Sequence, residues 1–366
     1  MKVLRIYHSG VVRAWRERER QMRSTDIDVT LVSPERWNEG GADVILDAPD
    51  ETWVVPARTL GTHPYVFVYD PRPLVRLLRS QTFDVIDLHE EPASLAALEV
   101  RLLARLFGHR RTPLVIYGAQ NIAKRFPQPF RWIERGTLRR ATGAYPCNRE
   151  AGEIYRRKGF TGLLNVIGLG VDIARFHGRD TNPTSQPVTI GYVGRLEEHK
   201  GVQVVLDALV GLPSSTHLLI CGDGPYRSML EAHVARLGLR DRVDFLGYSC
   251  HEDLPARYAA FDVAVIPSQT RTNWVEQFGR VAIEAMASGV PVIAADSGAL
   301  PDVLNGAGVL VPEADAGAWF RELQRLIDSP SVRSQLSAAG VERAKSYSWS
   351  AIAAEHVAFY RQVLNQ

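Results

Sequence analysis

The chain has 366 residues, which is enough for two domains of ordinary size. Hydrophobic residues make up 45% and charged residues 23%, and the formal net charge is +2. This balance excludes a dedicated nucleic-acid-binding protein, whose phosphate contacts require a basic excess. The three cysteines are far apart and form no CxxC pair, so we predict neither a disulfide framework nor a zinc cluster.

The amino-terminal half shows strands that alternate with turns and helices, the pattern of a parallel sheet covered by helices. Residues 1–7 alternate like a strand instead of forming the apolar core of a signal peptide, and no apolar run approaches the ~18 residues of a membrane span. We therefore expect a cytoplasmic protein. The predicted strands are residues 3–7, 29–33, 84–88 and 114–117, and the predicted helices are residues 13–23 and 94–107.

A second strand–helix series follows residues 179–187, a segment rich in Pro, Ser, Thr and Asn that is typical of a linker. The predicted strands of this series are residues 188–193, 217–221, 242–245, 263–266 and 290–294. The predicted helices are residues 202–210, 226–237, 253–260 and 280–288. Each half therefore predicts a doubly wound sheet, whose ligands bind at the carboxyl ends of the strands.

Charge is distributed unevenly between the two halves. Residues 1–172 contain 26 Lys or Arg against 20 Asp or Glu, a net +6, whereas residues 173–366 contain 17 against 21, a net −4. The basic half either faces an anionic acceptor, a phosphate group or a membrane surface, or simply carries solvated arginines. The predicted helix 13–23 places four arginines on one face, but the interleaved glutamates permit pairing within the helix. Peripheral membrane contact is therefore possible but not favoured.

Two glutamates eight residues apart form the densest motif. Gly279 marks the start of a helix, which leaves Glu276 in the preceding loop and places Glu284 inside the helix. Ionised carboxylates accept hydrogen bonds strongly without donating, so such a pair suits the hydroxyls of a sugar. Taken alone, the two glutamates would fit ordinary surface charges better.

The whole segment 276–292 has the pattern E-x-F-G-x4-E-A-M-A-x-G-x-P-V and resembles the E-x7-E signature of GT-B retaining glycosyltransferases, in particular family 4. The resemblance also covers residues 191–196, 200–201, 221–225, 245–247, 264–268, 297–298 and 301–302. It implies an α/β GT-B fold with two Rossmann-like doubly wound domains facing a central cleft. Residues 1–172 would form the acceptor-side domain, residues 173–349 the nucleotide-sugar-binding domain, and helix 350–366 would cross back to the first.

The same resemblance implies roles for individual residues. Arg195 and Lys200 lie between a strand and a helix, where backbone N–H groups already favour phosphate, and two cations there would stabilise a diphosphate leaving group. Glu276 would hold hydroxyls of the transferred sugar and Glu284 those of the ribose, with no metal. The implied donor-binding residues are Gly10, Arg195, Lys200, Glu276, Phe278, Gly279 and Glu284, and the implied catalytic residues are Glu276, His89, Arg195 and Lys200.

The amino-terminal half follows the family less closely. A Gly-Gly pair common after the first strand is replaced by His8-Ser9-Gly10, so only Gly10 keeps the conformational freedom for close approach to the donor. Residues 84–92 resemble the D-V-x-H-x-H-E-P stretch of bacterial phosphatidylinositol and related mannosyltransferases. His89 matches the second histidine, which faces the donor sugar, and Asp87 replaces the first. Acceptor-side candidates are His8, Tyr117, Gln120 and Asn121.

Asp26 and Asp28 form a DxD pair that resembles a metal–diphosphate motif, but they precede a strand, so we expect a solvated turn. We predict retaining transfer of a sugar from a UDP-, GDP-, ADP- or TDP-linked donor to the hydroxyl of a small molecule, glycan or lipid, without cofactor or metal. A GT-B-like nucleotide-sugar epimerase and a non-catalytic nucleotide-sugar-binding protein are the alternatives.

Overall fold

The computed structural model describes residues 1–39, 42–176, 187–250 and 252–366. It divides into two compact units: unit 1 comprises Met1–Gly168 together with Trp349–Gln366, and unit 2 comprises Leu169–Ser348. The first boundary therefore follows residue 168, where the sequence analysis placed it after residue 172. The predicted linker at 179–187 lies outside the described residues except for its last position.

Unit 1 is built on a parallel sheet of seven strands in the order β11-β10-β9-β8-β1-β2-β5. Two short antiparallel pairs, β3 with β4 and β6 with β7, accompany it. The strands are β1 (Lys2–Ile6), β2 (Asp28–Pro34), β3 (Arg36–Glu39), β4 (Ala42–Ile45), β5 (Val54–Ala57), β6 (Thr59–His63), β7 (Val66–Tyr69), β8 (Val85–Leu88), β9 (Leu114–Gly118), β10 (Gly143–Pro146) and β11 (Leu163–Leu164).

Side-chain caps begin several helices of unit 1. Asp70, Ser94 and Asn148 each accept a hydrogen bond from a backbone N–H of the first turn that follows. The helices are α1 (Glu17–Arg23), α2 (Pro71–Ser80), α3 (Leu95–Leu106), α4 (Phe130–Arg140), α5 (Arg149–Arg157) and the carboxyl-terminal helix Trp349–Leu364.

The predicted helix 13–23 is wrong in its first turn, because Arg13–Arg16 is a separate 3-10 turn. The side chain of Arg16 is fully buried and folds back on the chain. Its Nη1 donates to the carbonyl oxygen of Gly10 at 2.7 Å, and its Nε donates to Glu51 at 2.7 Å. Arg20 and Arg23 also pair with carboxylates of unit 1, so these three arginines are engaged within the unit.

Unit 2 has a parallel sheet of six strands in the order β14-β13-β12-β15-β16-β17. Both predicted doubly wound sheets are thus confirmed. The strands are β12 (Thr189–Val193), β13 (His217–Cys221), β14 (Val243–Gly247), β15 (Val263–Ile266), β16 (Val292–Ala295) and β17 (Val309–Val311). The helices are α6 (Val202–Leu209), α7 (Arg227–Arg236), α8 (Leu254–Ala259), α9 (Arg280–Ala287), α10 (Leu300–Leu304), α11 (Ala316–Asp328) and α12 (Pro330–Lys345).

Chain order reverses once in each sheet, between β1 and β8 in unit 1 and between β12 and β15 in unit 2. Loops that leave the carboxyl ends of two such strands diverge to opposite faces and leave a crevice. The segments that carry His8 and His89 follow β1 and β8, and those that carry Arg195 and Ser268 follow β12 and β15. The topology therefore brings the sequence candidates of each half to one edge of its own sheet.

Gly201 fixes the start of α6 in unit 2. It lies in the left-handed region at φ +74°, and a Cβ atom there would come within 1.9 Å of the carbonyl oxygen of Pro267. Only glycine allows the segment after β12 to pack this closely against the segment after β15. Lys200 and Ser268 are the neighbouring residues on the two sides of this contact.

A pair of glycine substitutions tests this packing. Gly238 has nearly the same φ, +70°, but no atom lies within 4 Å of its Cβ position. We expect Gly238→Ala to destabilise unit 2 by about 1–2 kcal/mol through its backbone conformation. Gly201→Ala should cost a further ~1–3 kcal/mol because the Pro267 carbonyl must move. Urea unfolding monitored by circular dichroism measures both, and equal losses would contradict the proposed contact.

Candidate functional site

The segment after β12 presents a cation at the carboxyl end of a central strand of unit 2. The side chain of Arg195 is 65% exposed, and its Nε lies 2.8 Å from Oε1 of Glu197. The buried hydroxyl of Tyr192 donates to the backbone carbonyl of Arg195 at 2.9 Å. Tyr192 thereby anchors the backbone, while the guanidinium of Arg195 extends from the loop toward solvent.

Lys200 and Glu276 form an ion pair although 76 positions separate them in the sequence. The Nζ atom of Lys200 lies 2.9 Å from Oε2 of Glu276, and the hydroxyl of Ser268 donates to the same oxygen at 2.9 Å. Lys200 Nζ also lies 4.4 Å from the ring centroid of Trp274, a cation–π contact. Two segments of unit 2, the one after β12 and the β15–α9 connection, therefore meet at the Glu276 carboxylate.

The second glutamate of the motif is buried in α9. Only 4% of Glu284 is exposed, and its Oε2 accepts a hydrogen bond from the hydroxyl of Tyr258 at 2.9 Å. Burial raises the pKa of Glu284, although the positive charge of Arg280 and the Tyr258 hydrogen bond oppose this rise. Tyr258 therefore fixes the orientation of the carboxylate.

The two residues between the glutamates that were predicted to bind the donor differ in their surroundings. Gly279 begins α9 at φ +80°, as the sequence predicts. The side chain of Phe278 is 4% exposed and packs edge-to-face against Tyr347 at a centroid distance of 5.6 Å. The Phe278 ring is thus part of the core of unit 2.

In unit 1, His89 belongs to a buried network centred on Arg5. The guanidinium of Arg5 pairs with Asp87, and its Nη2 donates to Nδ1 of His89 at 2.8 Å. The hydroxyls of Tyr145 and Tyr360 both donate to the Asp87 carboxylate. Asp87, which replaces a histidine of the family stretch, is therefore one of two counter-ions of a fully buried arginine, the other being Glu19.

This network determines the protonation state of His89. Burial lowers the pKa of His89 well below its usual value, and the charges of Arg5 and Arg18 lower it further. Because a guanidinium only donates, Nδ1 of His89 must accept, which leaves the proton on Nε2. The ring of Tyr117 stacks on the imidazole at a centroid distance of 3.8 Å. His89 is thus a neutral donor whose ring is held on one face by Tyr117.

His8 has the opposite electrostatic environment. Its Nδ1 pairs with the buried carboxylate of Glu90, which also accepts hydrogen bonds from the His8 backbone N–H at 2.8 Å and the Tyr69 hydroxyl at 2.7 Å. Burial lowers the pKa of His8, but the charge and hydrogen bond of Glu90 outweigh this effect and raise it. The ion pair therefore favours the protonated form of His8.

The remaining sequence candidates of unit 1 lie nearby. Gly10 is buried in the 3-10 turn His8–Val11, where a Cβ atom would come within 3.1 Å of Leu31 and Ser33, so packing accounts for glycine here. Gln120 and Asn121 are half-buried just after β9.

Sequence analysis missed Glu91 as a candidate. This half-buried carboxyl follows β8 beside His89 and Glu90. Burial raises the pKa of Glu91 to about 7, while the positive charges of Lys124 and His8 oppose the rise. Carboxyls that titrate near neutrality are concentrated at functional sites. The only sequence signal was its place in the His-Glu-Glu-Pro run at a strand end.

The described part of the chain contains no group of three or more His, Cys, Asp or Glu side chains placed to hold a metal ion. Asp26 and Asp28 are both exposed; Asp26 lies in a turn as predicted, whereas Asp28 is the first residue of β2 and pairs with Arg23. Across the same described ranges, no helix combines the length and apolarity that crossing a membrane requires.

The pKa of Glu91 predicts a specific pH dependence of stability. Because folding raises this pKa from 4.5 to about 7, the folded state binds the proton more tightly, and stability falls as pH rises through this window. Glu91→Gln removes this loss. Allowing for partial exposure, we expect the variant to gain about 1–2 kcal/mol over wild type at pH 8 relative to pH 5.

Urea unfolding of both proteins at the two pH values measures this difference. His8 and Glu99 also have raised pKa values, but both are present in wild type and variant and largely cancel in the comparison. A difference that is the same at pH 5 and pH 8 would show that Glu91 titrates at its ordinary pKa.

Comparisons with known proteins agree with this architecture. The family model described as Glycosyltransferase Family 4 matches residues 8–175, and the model described as Glycosyl transferases group 1 matches residues 175–343. Together the two models span both units, from the end of β1 to near the end of α12.

Curated relatives are glycosyltransferases. The D-inositol 3-phosphate glycosyltransferase of Corynebacterium glutamicum (strain R) is 36% identical over 226 residues, which cover 55% of this chain and 52% of that protein. The 2-deoxystreptamine glucosyltransferase of Streptomyces kanamyceticus is 28% identical over 317 residues, which cover 80% of this chain and 81% of that protein. The chain thus spans about half the length of the first relative and most of the second.

Solved structures share the fold over the full length. Sucrose-phosphate synthase (tll1590) from Thermosynechococcus elongatus superposes with a TM-score of 0.72 at 23% identity, covering 100% of this chain and 99% of that one. Anabaena Alr3699/HepE in complex with UDP superposes with a TM-score of 0.76 at 19% identity, covering 99% of this chain and 100% of that one. The fold is therefore GT-B, and with both family models matched, the chain belongs to the family 4 glycosyltransferases.

Proposed function

We propose that this protein transfers a sugar from a nucleotide-sugar donor to an acceptor hydroxyl, with retention of the anomeric configuration. The observation that carries the proposal is the cluster in which Lys200 and Ser268 hold the Glu276 carboxylate at the carboxyl edge of the unit 2 sheet. A cation and an oriented carboxylate in contact suit a ligand that joins a phosphate to a sugar.

Arg195 and Lys200 are the proposed diphosphate ligands. The exposed guanidinium of Arg195 offers bidentate hydrogen bonds to phosphate oxygens. The Lys200 ammonium has three donors, so it can bind a phosphate oxygen while it remains paired with Glu276. These two positive charges would stabilise the diphosphate as the glycosidic bond breaks, so we propose no metal for this step.

Glu276 is the proposed ligand of the transferred sugar. Lys200 and Ser268 orient its carboxylate before any ligand arrives. A carboxylate has about four acceptor positions, so it can accept sugar hydroxyls in addition to these two contacts. Glu284, held by Tyr258, is the proposed ribose ligand, and the donor phosphate is proposed to take the proton of the acceptor hydroxyl.

The acceptor side is proposed to lie in unit 1 around His89 and Glu91. The His89 Nε2–H can donate to a sugar or acceptor oxygen, and the Glu91 carboxyl can exchange a proton near neutral pH. His8, Tyr117, Gln120 and Asn121 complete the proposed acceptor side. The related fold of Anabaena Alr3699/HepE was solved with UDP and with UDP-glucose, which makes UDP-glucose the first donor to test.

The first experiment identifies the donor and then removes the Glu276 charge. A thermal-shift screen of UDP-, GDP-, ADP- and TDP-linked sugars selects the nucleotide, because a bound ligand stabilises the folded state by mass action. With that donor, Glu276→Ala should reduce turnover at least tenfold, since charge-assisted hydrogen bonds contribute about 1.5–3 kcal/mol each. Donor hydrolysis in the absence of acceptor provides the rate.

Glu322→Gln is the matched control, because Glu322 pairs with Arg325 on the surface of α11. Its turnover should equal that of wild type. Near-normal rates in a folded Glu276→Ala protein would refute the role of Glu276. Conversion of the sugar without release of nucleotide would indicate an epimerase, and binding without turnover would indicate a non-catalytic nucleotide-sugar-binding protein.

A further inference from the structure

Unit 1 contains a strongly basic cavity that the proposed donor chemistry does not use. Its volume is about 430 Å³, and it is bounded by the loop after β9, one face of α4 and the end of α5. The ring of Phe126 and the side chain of Leu138 supply apolar surface. Six cationic side chains line it: Lys124, Arg125, Arg131, Arg135, Arg157 and Lys158.

These charges are mostly uncompensated. Glu134 is the one acidic residue among the lining residues, and it pairs with Lys158 at 2.6 Å. Within the described ranges of the chain, the other five cations form no ion pair. The arginines of α1 differ, since Arg20 pairs with Glu17 and Glu51, and Arg23 pairs with Asp28. Five like charges around one cavity create a strong local positive potential that favours an anionic ligand.

The same segment accounts for the charge asymmetry of the sequence. Residues 124–158 contain 10 Lys or Arg and 3 Asp or Glu, a net +7. This exceeds the +6 of the whole segment 1–172, so the rest of that segment is close to neutral. The basic excess of the amino-terminal half therefore lies in this one segment, and six of its ten Lys or Arg side chains line the cavity.

The cavity adjoins the carboxyl edge of the unit 1 sheet, where the acceptor-side candidates lie. Phe126, in its lining, packs against Tyr65 at a centroid distance of 5.1 Å. The charge of Lys124, another lining residue, acts on Glu91. A ligand in the cavity would therefore extend toward Tyr65 and Glu91.

We propose that this cavity binds the phosphate group of a phosphorylated acceptor. The acceptor role rests on the proposed function, whereas phosphate binding stands on the cavity itself. Arg131 and Arg135 are one helical turn apart and line the same cavity, so two planar guanidinium groups can approach one phosphate. A phosphate dianion with several acceptor oxygens matches this density of donors better than a single carboxylate does.

Calorimetry on the full chain tests the proposal without any donor. Glucose 6-phosphate, inorganic phosphate and glucose serve as probes. We expect the two phosphate-bearing probes to bind, glucose to bind at least tenfold more weakly, and added salt to weaken the phosphate affinity. The double variant Arg131→Gln, Arg135→Gln should lose at least tenfold in affinity for glucose 6-phosphate.

Arg139→Gln is the matched control, because Arg139 is exposed on the same helix but does not line the cavity. It should bind like wild type. Sedimentation with phosphatidylglycerol and phosphatidylcholine vesicles distinguishes a phosphate carried by a lipid from one on a free molecule. The vesicle measurement is needed because Trp132 on α4 is 67% exposed, and tryptophan is a residue enriched at membrane surfaces.

Phosphate-dependent binding of either glucose 6-phosphate or phosphatidylglycerol, lost in the double variant and kept in Arg139→Gln, supports the proposal and identifies the carrier. No binding, or equal losses in both variants, overturns it. The donor-induced thermal shift should be unchanged in the double variant, since the proposed donor ligands belong to unit 2. A failure of the phosphate-binding proposal is therefore distinguishable from a failure of the proposed transfer reaction.

Discussion

The ion pair between Lys200 and Glu276 is the interaction on which the arrangement of the unit 2 site depends. It joins the segment after β12 to the β15–α9 connection, and Ser268, at the start of that connection, donates to the same carboxylate oxygen. Gly201 lets these two segments approach more closely than a side chain would allow. Backbone packing thus sets the position of a cation and a carboxylate before any ligand binds.

Unit 1 stabilises its charges by a different arrangement. Arg5 and its partners Asp87 and Glu19 are fully buried, and removing Arg5 would leave two carboxylates in the core without this cation. The network also keeps His89 neutral with a defined tautomer, whereas the neighbouring Glu90 favours the charged form of His8. Two histidines at the ends of adjacent strands therefore have opposite protonation preferences, which follow from one cationic and one anionic neighbour.

The sequence predicted what depends on local pattern. Hydrophobic strand cores located β1, β2, β8 and β9 in unit 1 and β12 to β16 in unit 2, but not β5, β10, β11 or β17. The family resemblance selected Lys200 and Glu276 of the unit 2 cluster. The sequence did not predict features that depend on tertiary contacts. The burial of Phe278, the raised pKa of Glu91 and the pairing of Asp87 with Arg5 arise from neighbours distant in sequence. A net charge of +2 likewise concealed one segment with a net charge of +7, which supplies all six cations of the cavity.

The central claim is that Lys200 binds the diphosphate and Glu276 binds the transferred sugar. Calorimetry with the selected nucleoside diphosphate and with its sugar conjugate tests this claim most directly. Lys200→Ala and Arg195→Ala should weaken binding of both ligands, because both residues are proposed to bind the diphosphate. Glu276→Ala should weaken binding of the sugar conjugate while the affinity for the bare diphosphate stays the same or rises, since Lys200 loses its partner. Unchanged diphosphate affinity in Lys200→Ala and Arg195→Ala, or equal loss of both ligands in Glu276→Ala, would contradict the account.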